Sequence, residues 1–234
     1  EIVSCSDFQL ENGFYYRFIE YINQEYSIEV EDKFVNNEEV QYLDLMRKII
    51  ETGIERGDRT GTGTISLFGQ QMKFDLRKTF PLSTTKRMFF RAVFEELMLY
   101  LRGQTDNKIL NGKDIHIWDG NTSREFLDSL GLDYPEGTCG PVYGFQWRHF
   151  NAPYEGAHAD YTGKGVDQLA ECIRLIKENP TSRRIFMSAW NPCQLPEMCL
   201  PCCHVSYQWY VDPINKTLSC QMYQRSGDLF LGVP

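Results

Sequence analysis

Apolar residues recur at the spacing of an amphipathic helix in several stretches of the chain. The first stretch begins at Asn36 or Asn37, either of which can cap a helix, and Gly53 is placed to end it. The same spacing predicts a second helix over 88–102 and a third over 166–176, which an Asn-Pro pair ends. The pattern therefore predicts three main helices.

Shorter patterns predict the remaining elements. A brief helix is expected over 123–130, capped by a threonine or serine at its start. Stretches rich in β-branched and aromatic residues predict strands over 65–76 and 184–190, and an antiparallel hairpin formed by 204–212 and 217–225. Because helices and strands alternate without regular βαβ spacing, the predicted fold class is α+β with a large sheet.

Composition narrows the functional classes. The chain has 234 residues with 42% hydrophobic and 24% charged residues, which is typical of a globular protein with a sizeable core. A net charge of -8 argues against bulk nucleic-acid binding. No apolar run is long enough to span a bilayer, and the N-terminus lacks a signal-peptide pattern, so a cytoplasmic location and no membrane partner are expected.

Cysteine usage points to a reducing compartment. The eight cysteines are scattered, and the chain does not contain two C-x-x-C motifs that could pair. This pattern disfavours a zinc site or a disulfide framework and favours reduced thiols.

A thiol and an imidazole stand side by side before the strand predicted over 204–212. Cys203 is a candidate nucleophile, because a thiolate is reactive and a polarised site lowers the pKa of the thiol. The alternative for a Cys-His pair in a strand is simple packing. Arg183 and Arg184 upstream and Arg225 downstream favour covalent catalysis on an anionic substrate. A cysteine hydrolase is a further interpretation, which leaves the arginines unexplained.

Two adjacent glutamates lie on the helix predicted over 88–102. At 100° per residue, Glu96 falls on the edge of the apolar stripe, whereas Glu95 points to the opposite, solvent-facing side. A partly buried carboxylate suits proton transfer, and a structural salt bridge is the alternative.

Two further stretches could bind a nucleotide. The residues 139–150 are dense in aromatic and polar side chains, which either stack a flat heterocycle or form core. The glycine-rich loop 57–64 carries Arg59, which can bind a phosphate, although a turn with a solvated arginine is favoured for this loop taken alone.

Taken together, these stretches resemble the thymidylate synthase family over residues 38–234. The motifs that carry the resemblance are DRTGTG at 58–63, FPLSTTKR at 80–87, EEL at 95–97, IWDGN at 117–121, GPVYGFQWRHF at 140–150, SRRIFMSAWNP at 182–192, CCH at 202–204 and YQRSGD at 223–228. The resemblance implies the thymidylate synthase fold, with a large mixed sheet flanked by helices and a homodimer whose sheets pack face to face.

The resemblance also implies a reaction and a set of ligands. The reaction would be reductive methylation of dUMP to dTMP, with 5,10-methylenetetrahydrofolate giving both the carbon and the hydride, and with no metal. Cys203 would add to C6 of the uracil ring, and Glu96 would organise water and proton transfer near O4 and the folate. The expected catalytic residues are Cys203, Glu96, Tyr143, Asp228 and Arg225.

The same resemblance assigns residues to each ligand. The phosphate would be held by Arg59, Arg225 and Ser226, joined by Arg183 and Arg184 of the second subunit. Gln224 and Asp228 would contact the nucleotide or the neighbouring backbone, and Tyr143 and His204 would line the pocket. The folate would lie against Ile117, Trp118 and Asn121, with Glu96 and Asp228 close by.

Two features depart from the family pattern. The family usually has a proline where this chain has Cys202. Counting back from Gln208-Trp209 assigns the nucleophile to Cys203, and strand alternation predicts that Cys202 faces away. The chain also ends at Pro234, before the asparagine that selects uracil over cytosine in the family. A deoxycytidylate hydroxymethylase therefore remains an alternative, as does an inactive dimerisation or RNA-binding module.

The ends of the chain suggest a longer polypeptide. Residues 1–37 begin without a methionine and are predicted to be an N-terminal extension or an interdomain linker ahead of a synthase domain over 38–234 that lacks its C-terminal part. Such a junction resembles that of a bifunctional dihydrofolate reductase–thymidylate synthase, and a monofunctional enzyme with a long extension is the alternative.

Overall fold

The computed structural model describes residues 37–57, 61–77 and 80–233. Within it, two compact units divide between Thr85 and Lys86. The extension or linker predicted over 1–37 lies outside the described residues apart from Asn37, so its role stays a prediction.

The first unit pairs a helix with a small hairpin. Its elements are α1 (Asn37–Thr52), β1 (Ile54–Arg56) and β2 (Thr64–Ser66), and the two strands are antiparallel. The first predicted helix is confirmed, including its end at Gly53. The strand predicted over 65–76 is wrong beyond Ser66, because the chain leaves the ladder there and Gly69 adopts a φ of +72°, which an extended strand does not allow.

A buried carboxylate ties α1 to the loop that follows the hairpin. Glu39 is 8% exposed and accepts hydrogen bonds from the Ser83 hydroxyl at 2.7 Å and from the backbone N–H groups of Thr84 and Thr85, both at 2.8 Å. The Thr84 hydroxyl donates to its second oxygen at 2.5 Å. Burial alone would raise the pKa of Glu39, but the bonds from Thr84, Ser83 and Thr85 outweigh it, and the pKa lies below its ordinary value.

The second unit carries most of the helices and a three-stranded sheet. Its helices are α2 (Phe90–Leu101), α3 (Lys108–Asn111), α4 (Asp119–Thr122), α5 (Arg124–Ser129), α6 (Tyr143–His149), α7 (Gln168–Glu178) and α8 (Leu229–Gly232), with a 3₁₀ turn over Leu195–Glu197. Its strands are β3 (Phe186–Ser188), β4 (His204–Asp212) and β5 (Thr217–Gln224). The helices predicted over 88–102, 123–130 and 166–176 are confirmed with small shifts at their ends, as is the hairpin.

The sheet is smaller than the sequence suggested. Its order is β3-β4-β5, every pairing is antiparallel, and the ladder of β4 and β5 runs from the pair His204 and Gln224 to the pair Asp212 and Thr217. The mixed helix and sheet content agrees with the α+β class. Within the described ranges, no sheet has more than three strands, so the large mixed sheet is not seen there.

The core of the second unit lies between α2, α6 and the sheet. Leu99, Tyr143, Trp147 and Met187 are among its buried members. The aromatic stretch 139–150, for which stacking and core packing were both open, contains helix α6 and is largely core. A Cβ on Gly144 would lie 2.8 Å from the Cα and carbonyl oxygen of Tyr100, so glycine permits the close approach of α6 to α2.

One glutamine connects α7, α6 and β3. The Gln168 side-chain amide donates to the carbonyl oxygens of Gln146 and Ser188, both at 2.7 Å, and its oxygen accepts the Ser188 N–H at 3.0 Å. Because the amide nitrogen and the amide oxygen both form hydrogen bonds with the backbone of Ser188 in β3, this side chain fixes the position of α7 along the strand.

Among the described residues, no helix is both long and apolar enough to cross a membrane.

Candidate active site

The predicted nucleophile lies at the mouth of β4, between an arginine and a tyrosine. The Cys203 sulfur is 3.5 Å from Nη2 of Arg225. The backbone N–H of Cys203 donates to the hydroxyl oxygen of Tyr143 at 2.8 Å. The thiol is partly buried, so a small molecule can reach it. A cationic donor beside a sulfur stabilises the thiolate, which is the nucleophilic form.

The guanidinium of Arg225 is fixed by the backbone on which the thiol stands. It donates from Nε to the Cys202 carbonyl at 3.0 Å and from Nη2 to the Pro201 carbonyl at 2.7 Å. Its carbon also lies 5.5 Å from the centre of the Trp190 ring. Arg225 is therefore held in place before any substrate binds, and it remains exposed enough to meet an anion.

Cys202 faces the interior, as strand alternation predicted. It is 0% exposed and belongs to the core, and burial, the largest cause, raises the pKa of its thiol to about 12. The thiol of Cys202 is therefore protonated at neutral pH, and the two neighbouring sulfurs lie in different environments.

His204 packs on an aromatic ring. Its imidazole lies 5.5 Å from the ring of Tyr143, centre to centre, and burial lowers its pKa below the ordinary value. Within the part of the chain that the structure describes, the imidazole makes no hydrogen bond with Cys203. The cysteine hydrolase interpretation therefore gains no support from the position of this histidine.

Glu96 is held by two donors on one of its oxygens. The indole N–H of Trp118 donates to Oε1 at 2.7 Å, and the hydroxyl of Tyr100 donates to the same atom at 2.8 Å. The inward lean predicted for Glu96 is confirmed. The solvent-facing position predicted for Glu95 is wrong, because its side chain is only 21% exposed and pairs with the ammonium of Lys113, a residue from outside α2.

Aromatic rings connect Glu96 to Cys203. The ring of Tyr143 lies 4.9 Å from that of Tyr100 and 6.4 Å from that of Trp118, centre to centre. Burial raises the pKa of Tyr143, so its hydroxyl stays protonated next to Cys203. The structure thus joins Glu96, Trp118, Tyr143 and Cys203 by direct contacts.

The other residues predicted for the folate site lie near Trp118. Ile117 is 49% exposed, Trp118 is 7% exposed, and Asn121 is partly buried with its N–H bonded to the Trp118 carbonyl at 3.1 Å. An exposed isoleucine beside the edge of a buried indole is a surface that suits a flat, partly apolar ring.

Further residues predicted for the site lie at the end of β5 and directly after it. Gln224 ends β5 opposite His204, and Ser226 is exposed. The Asp228 carboxylate caps α8, accepting from the N–H groups of Phe230 at 2.9 Å and Leu231 at 2.8 Å. Asp228 therefore has a structural role at the start of α8, and its contact with a nucleotide stays a prediction.

The remaining arginines are placed differently. Arg183 and Arg184 are exposed ahead of β3, and within the described residues their guanidinium groups have no hydrogen-bond or ion-pair partner. Arg59 falls outside the described residues.

Sequence reasoning missed two contributors to this site. Tyr100 donates to Glu96 and was not considered as a site residue, and Trp190 lies beside Arg225 and was quoted only as part of a motif. Helical spacing offered a signal only for Tyr100, which lies one turn after Glu96.

No group of three or more histidine, cysteine or acidic side chains that could hold a metal ion occurs among the described residues.

Comparison with known proteins adds an independent finding. A sequence model of the thymidylate synthase family matches residues 40–234. The chain belongs to the thymidylate synthase family. This match confirms the resemblance that the ordered motifs indicated.

Three relatives of this synthase family member are named as bifunctional proteins. The chain is 59% identical over 199 residues to the bifunctional dihydrofolate reductase-thymidylate synthase of Zea mays, covering 85% of this chain and 38% of the relative. It is 58% identical to that of Leishmania major, covering 85% and 39%, and 49% identical to that of Paramecium tetraurelia, covering 100% and 50%. The chain thus spans half or less of the length of these curated relatives.

Proposed function

We propose that this protein catalyses the reductive methylation of dUMP to dTMP. The observation that carries the proposal is the position of the Cys203 sulfur 3.5 Å from the fixed guanidinium of Arg225. Family membership supports the same reaction. 5,10-Methylenetetrahydrofolate would supply the one-carbon unit and the hydride.

The chemistry explains why the site needs a thiolate. C5 of uracil is a weak nucleophile, but addition of a thiolate at C6 moves electrons onto O4 and makes C5 nucleophilic. C5 would then bond to the one-carbon unit and lose its proton. Departure of the sulfur would free Cys203 and leave a methylene group on C5, which the hydride would reduce to the methyl group of dTMP. In this proposal Glu96 orders water near O4, while Tyr143 holds the backbone of the nucleophile and His204 lines the pocket.

An anionic phosphate would bind to the exposed side of the arginine at the thiol. Arg225 and Ser226 would contact it, and Gln224 and Asp228 would contact the rest of the nucleotide. Arg59 remains an expectation from the family resemblance. The phosphate would also draw the nucleotide toward the thiol, because charge-assisted bonds to a guanidinium are strong and directional.

Arg183 and Arg184 would reach the phosphate of a second copy of the chain. Their exposure and their lack of partners within the described residues support this role. A sheet-to-sheet homodimer is further supported by one face of the sheet, where Phe186, Tyr210 and Tyr223 are 49%, 71% and 54% exposed. A second copy would cover this face.

The folate would lie against Ile117, Trp118 and Asn121, with Glu96 and Asp228 close by. The exposed side chain of Ile117 supports this position. We also propose that the chain is the synthase part of a bifunctional dihydrofolate reductase–thymidylate synthase in the cytoplasm, because the relatives carry that name and the cysteines of the described residues are free thiols. An intact mass well above 27.3 kDa for the cellular polypeptide is then expected.

A fluorinated substrate tests the reaction. The C5 proton must leave during turnover, and fluorine cannot leave as a cation. 5-Fluoro-dUMP should therefore trap a covalent complex on Cys203 only when methylenetetrahydrofolate is present, and peptide mass spectrometry locates it. A label on Cys202, or inactivation that does not need the folate, would contradict the mechanism. Turnover of dCMP but not dUMP would instead identify a hydroxymethylase.

Mixed dimers test the shared site. Cys203→Ala and Arg184→Glu proteins should each be inactive. Mixing them should restore activity, because one of the two sites then has its own thiol and an intact arginine from the other copy. No recovery after subunit exchange would contradict the donation of Arg184.

A further inference from the structure

Tyr100 contacts the same carboxylate oxygen as Trp118. Its hydroxyl donates to Oε1 of Glu96 at 2.8 Å, from one helical turn further along α2. Tyr100 is 5% exposed, so water does not compete for this bond. Within the described residues, Oε2 of Glu96 accepts no hydrogen bond, which leaves it able to meet a substrate or a water molecule.

The surroundings keep the hydroxyl of Tyr100 protonated, so that it remains a hydrogen-bond donor. Burial, followed by the charge of Glu96, raises the pKa of Tyr100 well above its ordinary value, so the hydroxyl is protonated throughout the physiological range. The titratable groups that face this pair from the other elements are Tyr143, Cys139 and Tyr207. The pKa of each is raised, mainly by burial for the tyrosines and by a hydrogen bond with Cys199 for Cys139, so all three are neutral.

The ring of Tyr100 has a separate packing role. It lies 4.9 Å from the ring of Tyr143 and 5.7 Å from that of Trp147, centre to centre. Phenylalanine would keep these contacts and remove only the hydroxyl. The hydroxyl can therefore be tested without removing the ring.

We propose that Tyr100 is a positioning residue that works with Trp118 to saturate Oε1 of Glu96 and thereby directs Oε2 at the reacting ring. A carboxylate with two fixed donors on one oxygen has one orientation. The proposal rests on the synthase function described above.

Kinetics of Tyr100→Phe test the proposal. We expect kcat for dUMP to fall about tenfold, which corresponds to about 1.4 kcal/mol in the barrier. KM for dUMP should stay within about twofold, because the interaction removed is one that stabilises the transition state. The matched control is Tyr154→Phe, which removes a hydroxyl that bonds Thr105 at 2.7 Å in a separate aromatic cluster.

A second readout does not depend on turnover. The indole N–H resonance of Trp118, assigned with Trp118→Phe, reports its hydrogen bond to Oε1 of Glu96. At neutral pH its chemical shift should change in Tyr100→Phe, where the second donor to that oxygen is lost, and stay in place in Tyr154→Phe. An unchanged shift in Tyr100→Phe would overturn the proposal even if the synthase activity is present. A changed shift in a protein that does not convert dUMP would keep the role of Tyr100 and reject the synthase function.

Discussion

Cys202 and Cys203 are adjacent in the chain, yet only the second sulfur faces a cation. The Cys203 sulfur lies 3.5 Å from Arg225, whereas Cys202 is 0% exposed within the core. Burial raises the pKa of Cys202 to about 12, so its thiol is both unreachable and unreactive at neutral pH.

Replacing each cysteine in turn should separate the two roles. Cys203→Ala should abolish turnover and remove the fast-alkylating thiol of the site. Cys202→Ala should keep most of the activity and cost about 1 kcal/mol in the free energy of unfolding, since it removes a buried sulfur. Assays of dTMP formation and urea unfolding of both variants measure this. The reverse pattern would mean that the nucleophile is assigned one position too late.

Arg225→Lys should slow the nucleophile and weaken phosphate binding together. A lysine has no planar fork, so it cannot keep the bonds to the Cys202 and Pro201 carbonyls while facing the sulfur. We expect slower alkylation of Cys203 by iodoacetamide at neutral pH and a KM for dUMP raised about tenfold, or about 1.4 kcal/mol. Arg174→Lys is the control, because Arg174 pairs with Glu171 and Glu178 on α7. Unchanged alkylation would show that Arg225 does not stabilise the thiolate.

Gly144→Ala should destabilise the contact between α6 and α2. The new Cβ would meet the Tyr100 backbone at 2.8 Å, and backbone cannot move aside as a flexible side chain does. Overpacking of this kind costs about 1–3 kcal/mol, measured by urea unfolding. Gly120→Ala is the control, since a Cβ there meets nothing within 4 Å and alanine favours the helix. Equal effects at the two glycines would argue against a close approach.

Glu39 should make unfolding of the first unit sensitive to acid. The folded-state pKa of Glu39 lies below its ordinary value of 4.5, so the charged carboxylate stabilises the fold above that value, and the contribution is lost as the pH falls through the folded pKa. Glu39→Gln should lower the free energy of unfolding at pH 7 by about 1.5 kcal/mol. The difference from the wild type should shrink in acid.

Urea unfolding of wild type and variant at both pH values checks this expectation. Glu51→Gln, at an exposed position on the same helix, serves as the control. A difference that is constant with pH would mean that the charge of Glu39 is not involved.

Local patterns were enough for the main helices and for the different environments of the two neighbouring cysteines. Helical spacing located α1, α2 and α7 because one face of each helix carries apolar side chains. Strand alternation placed Cys202 and Cys203 on opposite sides, because that geometry needs only two successive residues.

Such local patterns give no information about contacts between distant segments of the chain. Glu95 was expected in solvent, since a helix considered alone does not show that Lys113 folds over it. The role of Glu39 depends on residues more than forty positions away. Those residues lie in the motif FPLSTTKR, which does not indicate that a carboxylate on α1 accepts their hydrogen bonds. The strand expected over 65–76 failed because the pattern of apolar residues continued where the backbone turned at Gly69.

The amide of Gln168 has a consequence for folding fidelity. It satisfies both backbone groups of Ser188 and the carbonyl of Gln146. If β3 slipped by one residue against α7, the amide and these backbone groups would be left without partners away from water, at a cost of about 1–3 kcal/mol for each. Misregistered packings of equal hydrophobicity would therefore be rejected. Polar side chains at this junction select one arrangement of helix and strand, where apolar packing alone would tolerate several.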